Sequence, residues 1–171
     1  MRVFVTGATG WIGSATVDDL LRSGHEVTGL ARSESSAAQL EAKGADVLRG
    51  DLDDLDSLRK GADATEGVIH LANKHDWSNP ANSNAAERAA IETIGEVLAG
   101  SDRPFVFASG VAGLAAGRPA TEDDASPHVG PESLRGGAEN RAFDFVDQGC
   151  GPSRPVSRRP STASATTDSS H

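Results

Sequence analysis

MRVFVTGATGWIGSATVDDLLRSGHEVTGLARS, residues 1–33, holds a complete strand–helix–strand unit. Arg2–Thr6 is a short, mostly apolar run that predicts a strand, and Gly7-x-x-Gly10-x-x-Gly13 follows at once. Ile12 to Leu21 then places Val17, Leu20 and Leu21 on one helical face, and Glu26–Ala31 predicts a second strand. In this context each glycine has its own task. Gly7 permits the tight turn, Gly10 lets backbone N–H groups approach a pyrophosphate, and Gly13 lets the helix pack closely on the strand. The helix N-terminus faces the phosphates with its partial positive charge. The loop thus predicts a dinucleotide site built from Gly7, Thr9, Gly10, Trp11, Ile12 and Gly13.

The end of the second strand bears on which dinucleotide fits. An acid there would hydrogen-bond the ribose 2′-hydroxyl of NAD(H). Here the sequence is Ala31-Arg32-Ser33, so the acid is missing and a guanidinium is at hand for a 2′-phosphate. Arg32 and Ser33 therefore favour NADP(H) over NAD(H).

Working outward, Ala45–Arg49, Gly67–Leu71 and Pro104–Ala108 predict three more strands. Helical patterns lie between the strands. Ala85 to Leu98 carries Ile91, Ile94 and Leu98 at i, i+3 and i+7, and Glu132 to Gln148 points Leu134, Ala138, Ala142, Phe145 and Val146 inward. Gly136 and Gly137 weaken that last helix by roughly 1 kcal/mol each relative to Ala. Five strands alternating with helices imply an α/β fold, a doubly wound parallel sheet of Rossmann type, over residues 1–150. Residues 151–171 are rich in Ser, Thr, Pro and Arg, with Val156 the one large aliphatic, and are expected to be a disordered tail.

Composition narrows the partners. A formal charge of −9 argues against a nucleic-acid or anionic-membrane binder. There is no apolar stretch near 20 residues and no signal-peptide pattern, so a cytoplasmic protein without a membrane span is expected. Cys150 is the single cysteine, which excludes an internal disulfide, and no His/Asp/Glu grouping has metal-ligand spacing. His70 reads as a satisfied core histidine; His75 and Asp76, after the fourth strand, read as a solvated loop pair or a proton shuttle. No pattern points to an oligomeric state.

The Thr6-Gly7-Ala8-Thr9-Gly10-Trp11-Ile12-Gly13 loop resembles the extended short-chain dehydrogenase/reductase superfamily, in its NAD-dependent epimerase/dehydratase branch. Gly50-Asp51-Leu52 is similar to the segment whose Asp touches the adenine. Val68-Ile69-His70-Leu71-Ala72, with Asn73 after it, is similar to the fourth-strand motif lining the cofactor. Phe105-Val106-Phe107-Ala108-Ser109-Gly110 resembles the fifth strand, which ends at a catalytic Ser or Thr. The resemblance covers residues 1–150 and implies a cofactor site including Asp51, Leu52, Leu71, Ala72 and Asn73. It implies catalysis at Ser109; if the register shifts by one, Gly110 occupies the place of the catalytic Ser or Thr instead.

In that family a Tyr acts as general acid/base, and a Lys four residues later tunes it. This chain has no tyrosine. Arg135-Gly-Gly-Ala-Glu139 stands at the equivalent place and keeps the i, i+4 spacing. Arg135 is too basic to donate a proton near neutrality, whereas Glu139 can if burial raises its pKa. An i, i+4 surface ion pair is the simpler expectation. Three functions follow: an NADP-dependent oxidoreductase or epimerase/dehydratase-like enzyme acting on a small hydroxyl/carbonyl compound, a sugar nucleotide being one such class; a dinucleotide-binding sensor or pseudoenzyme; or an inactive truncated fragment.

Family members run to roughly twice this length and continue into a sixth strand with an Arg-x-x-x-x-Val-His/Tyr-Gly pattern. Writing residues 155–171 in G+C-rich synonymous codons and reading from the third base gives Arg-Leu-Pro-Pro-Thr-Val-His-Gly-Glu-Arg-Asp-His-Gly-Phe-Val-Ala. The expectation is a tail translated out of frame, which incompatible codons in the gene would refute. The competing expectation is a basophilic kinase site at Arg158-Arg159-Pro160-Ser161.

Overall fold

The computed structural model describes residues 1–110, 114–115, 117–121, 123–146 and 148–150. Its elements run β1 (Arg2–Thr6), α1 (Trp11–Arg22), β2 (Glu26–Ala31), α2 (Glu34–Lys43), β3 (Asp46–Arg49), α3 (Leu55–Asp63), β4 (Gly67–His70), α4 (Pro80–Leu98), β5 (Phe105–Phe107), a tight 3₁₀ turn (Leu134–Gly137) and α5 (Ala138–Val146). The strands form one parallel sheet in the order β3-β2-β1-β4-β5. The chain moves outward from β1 to β3, then returns to the other side of β1 for β4. That reversal opens a crevice at the C-terminal ends of β1 and β4, where doubly wound sheets bind their ligands.

Strand periodicity builds the core. β1 is central, and its side chains alternate between two buried layers. Val3 and Val5 join Val17, Val27 and Leu40 beneath α1 and α2, whereas Phe4 joins Leu58, Ile91, Ile94, Leu98 and Phe145 beneath α3, α4 and α5. The expected inward stripe of Ile91, Ile94 and Leu98 is fully buried.

Side-chain caps start three of the helices. Ser33 accepts from the Ser36 N–H at the head of α2, Asp54 from Ser57 at α3, and Asn79 from Asn82 at α4. Asn79-Pro80 starts α4 well before Ala85, because proline at the first helical position has no orphan donor to satisfy. α1 differs: Gly10 caps it and offers no side-chain acceptor, so its first N–H groups are left for something else.

The C-terminal helix departs from expectation. Residues 132–148 do not form one helix. Arg135, Gly136 and Gly137 all take positive φ, at 55°, 63° and 63°, and the helix proper starts at Ala138. Arg135 and Glu139 therefore do not share one helical face as an i, i+4 pair. Leu134 and Val146, expected inside, are about half exposed, while Ala138, Ala142 and Phe145 are buried. The Ser/Pro/Arg tail lies outside the described residues.

Candidate functional site

The phosphate loop is a cradle that side chains would fill. Gly10 N–H bonds the Gly7 carbonyl at 2.9 Å, closing the turn into α1. Gly7 has φ +64°, and a Cβ there would stand 2.7 Å from the Ala72 nitrogen. A Cβ on Gly13 would stand 2.0 Å from the Gly7 carbonyl oxygen. These two positions demand glycine for different reasons, backbone hand at Gly7 and helix-to-loop approach at Gly13. The uncapped start of α1, with Trp11 96% exposed and Ile12 exposed beside it, can receive a pyrophosphate.

The crevice floor is held from beneath by Thr6. Its buried Oγ1 accepts N–H bonds from Leu71 and Ala72, both at 3.2 Å, and lies 2.8 Å from His70 Nδ1. Oγ1 and Nδ1 share one hydrogen bond whose direction follows the imidazole tautomer, and the Leu71 N–H also reaches the Thr6 carbonyl at 3.3 Å. Nε2 is buried with no partner among the described residues, so the core histidine is satisfied on one nitrogen only. Burial, helped by the Arg135 charge, lowers its pKa to about 4.

At the C-terminal ends of β2 and β3, Ala31, Arg32, Glu34, Arg49, Gly50, Asp51 and Asp54 line a cleft of about 350 Å³. Leu52 is buried beside it. Asp51 Oδ1 accepts from the N–H groups of Asp53 and Asp54, which fixes the turn after β3. The Arg32 side chain makes no hydrogen bond or ion pair among the described residues. Lys74 pairs with Asp53 at 2.7 Å and ties the loop after β4 to this end.

At the opposite end Ser109 and Glu139 meet. Ser109 Oγ donates to Glu139 Oε2, joining the end of β5 to the first turn of α5. Arg135 turns away from Glu139 and pairs with Glu87 instead, Nη2 to Oε1 at 2.6 Å, while Asn73 Nδ2 donates to Glu87 Oε2 at 2.9 Å. Glu87 is 1% exposed, and burial pushes its pKa up against the opposing pull of Arg135 and Asn73. Ser109, Gly110, Arg135, Glu139 and Glu87 border one recess. His75 is exposed in the left-handed region at φ 49°, with Nδ1 3.2 Å from the Asn73 carbonyl; Asp76 accepts from Ser78 and Asn79, and its pKa is lowered chiefly by the Ser78 hydroxyl. Neither His75 nor Asp76 lines the recess. Among the described residues no His/Cys/Asp/Glu group can hold a metal.

Fold and crevice define a dinucleotide-binding α/β protein of Rossmann type. Residues 3–134 match the model of the NAD dependent epimerase/dehydratase family, and the chain belongs to that family. It is 42% identical over 151 residues to an uncharacterised protein of Saccharomyces cerevisiae, covering 87% of this chain and 50% of that one. It is 30% identical over 158 residues to the 4-hydroxy-2-methyl-3-oxo-4-farnesyl-3,4-dihydroquinoline-1-oxide ketoreductase of Stigmatella aurantiaca, covering 89% and 47%. Among solved structures, the Thermus thermophilus UDP-glucose 4-epimerase complex with NAD shares the fold at TM-score 0.66 and 23% identity, covering 86% of this chain and 50% of that one. The chain thus spans about half the length of the curated relatives it matches. Within the described residues no helix is long and apolar enough to cross a membrane.

Proposed function

We propose that this protein is an NADP(H)-dependent oxidoreductase, or an epimerase/dehydratase-like enzyme, acting on a small hydroxyl/carbonyl compound. The observation that carries the reading is the glycine cradle leading to an adenosine cleft in which Arg32 replaces an acid. The phosphate loop, Arg32, Ser33, Asp51, Leu52, Leu71, Ala72 and Asn73 would hold the dinucleotide, which supplies reversible two-electron chemistry at its nicotinamide when bound. Ser109 holds the substrate oxygen by hydrogen bonding. Glu139, hydrogen-bonded to the same hydroxyl, accepts a proton through Ser109 when an alcohol is oxidised and returns it when a carbonyl is reduced. A carbonyl substrate accords with the ketoreductase among the relatives. The protein would act in the cytoplasm on a small molecule, without nucleic acid or membrane.

A second reading, a dinucleotide sensor without turnover, is favoured by the lack of any tyrosine in the chain. NADPH oxidation with a panel of small aldehydes and ketones separates the two. Turnover that falls about 100-fold or more in both Ser109→Ala and Glu139→Gln, with NADPH binding retained, is the result expected of the enzyme. Tight NADPH binding with no turnover on any substrate would leave the sensor.

A further inference from the structure

The adenosine cleft contains a second guanidinium whose role rests on the NADP(H) assignment above but goes beyond it. Arg49 closes β3 in register with Ala31, the last residue of β2, and Arg32 follows Ala31 at once, so the two guanidinium-bearing residues stand at the C-terminal ends of neighbouring strands. Both line the cleft. Arg32 has no partner among the described residues, whereas Arg49 is ion-paired with Glu34 at the head of α2. The other acids there already serve the backbone: Asp51 accepts from Asp53 and Asp54, and Asp54 from Ser57. Glu34 has no such duty among the described residues, and its side chain is 92% exposed against 46% for Arg49. An ion pair so open to water contributes little and exchanges readily for a better anion.

We infer that Arg49 and Glu34 form an exchangeable gate on the ribose 2′-position, with Arg49 leaving Glu34 to pair with a 2′-phosphate and Glu34 restraining that preference. A phosphate offers Arg49 more charge and a forked acceptor. Glu34 competes for the same guanidinium and repels the dianion. Against a bare 2′-hydroxyl the same carboxylate is neutral or helpful, because it can accept the hydroxyl's hydrogen bond. Glu34 therefore lowers discrimination between the two dinucleotides, and Arg49 raises it.

The test is calorimetric titration of the full chain with adenosine 2′,5′-bisphosphate and with 5′-AMP, which differ only at the 2′-position. Both side chains lie on the surface, so Glu34→Gln, Arg49→Met and the double variant leave the core intact. Glu34→Gln should bind the bisphosphate about tenfold tighter, and Arg49→Met about tenfold weaker, with 5′-AMP changing by less than about twofold in each. In the double variant the part of the Glu34→Gln gain that comes from freeing Arg49 should be lost, leaving only the smaller gain from removing a like charge. A wild-type preference for the bisphosphate that neither variant alters overturns the gate and leaves the NADP(H) assignment standing. Equal binding of the two probes by the wild type and by Glu34→Gln overturns the assignment and the gate with it.

Discussion

At the scale of single residues, His70 has the most direct consequence for stability. It is buried, its Nδ1 is engaged by Thr6, and its pKa is lowered from 6.5 to about 4. In that window the unfolded chain binds a proton that the native chain refuses. Stability from this residue is therefore complete above about pH 6.5 and is lost as pH falls toward 4, by up to roughly 3 kcal/mol. Glu87, whose pKa is raised by burial, has the opposite sign and favours the native state on acidification. Urea unfolding at pH 7 and pH 5 should show a steeper loss for wild type than for His70→Leu; equal losses would mean His70 is not buried as described. The sequence offered a signal for Glu87 that was missed. It lies on the Ile91, Ile94, Leu98 stripe, where a carboxylate must be buried and therefore partnered. Its partners, Asn73 and Arg135, are 14 and 48 residues away and have no local signature.

At the scale of elements, the strands were legible because the sheet is buried on both faces and its runs are short and apolar. The phosphate loop was legible because glycine spacing is itself a backbone requirement. The start of α5 was not. A periodic count treats Arg135 as helical, whereas Asn84 Oδ1 accepts the Arg135 N–H at 2.9 Å and Arg88 Nη1 donates to the Gly136 carbonyl at 2.8 Å. These long-range bonds hold three successive left-handed residues that helix propensity opposes, and such a turn at a recess edge fits a functional site. Ser109 and Glu139 meet only because α5 starts after that turn. Elsewhere one side chain joins two helix ends. Arg103 Nη1 donates to the Ala62 and Thr65 carbonyls at 2.7 and 2.8 Å, and Nη2 to Val97 at 3.0 Å, at the C-terminal ends of α3 and α4. Arg103→Met should cost about 2–3 kcal/mol by leaving these carbonyls without a charged donor. Chemical denaturation checks this, and a change below about 0.5 kcal/mol would mean water serves them equally well.

At the scale of the whole molecule, the described residues form one five-stranded parallel sheet whose strand order reverses beside β1, in a chain about half the length of the curated relatives it matches. β5 stands last in the strand order, and Val106 on it is exposed. Ligand bound across the β1–β4 crevice should therefore matter to global stability. Saturating NADPH should raise the melting temperature by several degrees through mass action, more than NADH at equal concentration. Substrate choice is the part least legible in the sequence, since the residues that would shape it come from long-range packing around Ser109, Arg135 and Glu139. The most direct test of the dinucleotide site is titration of the purified chain with NADPH and with NADH, followed by tryptophan emission. Trp11 stands at the head of α1, so a ligand on the phosphate loop must change its surroundings. The proposed function predicts saturable quenching or shift with both, and NADPH binding at least about tenfold tighter through Arg32. Saturation by neither dinucleotide in soluble, folded protein would contradict the glycine cradle as a phosphate site.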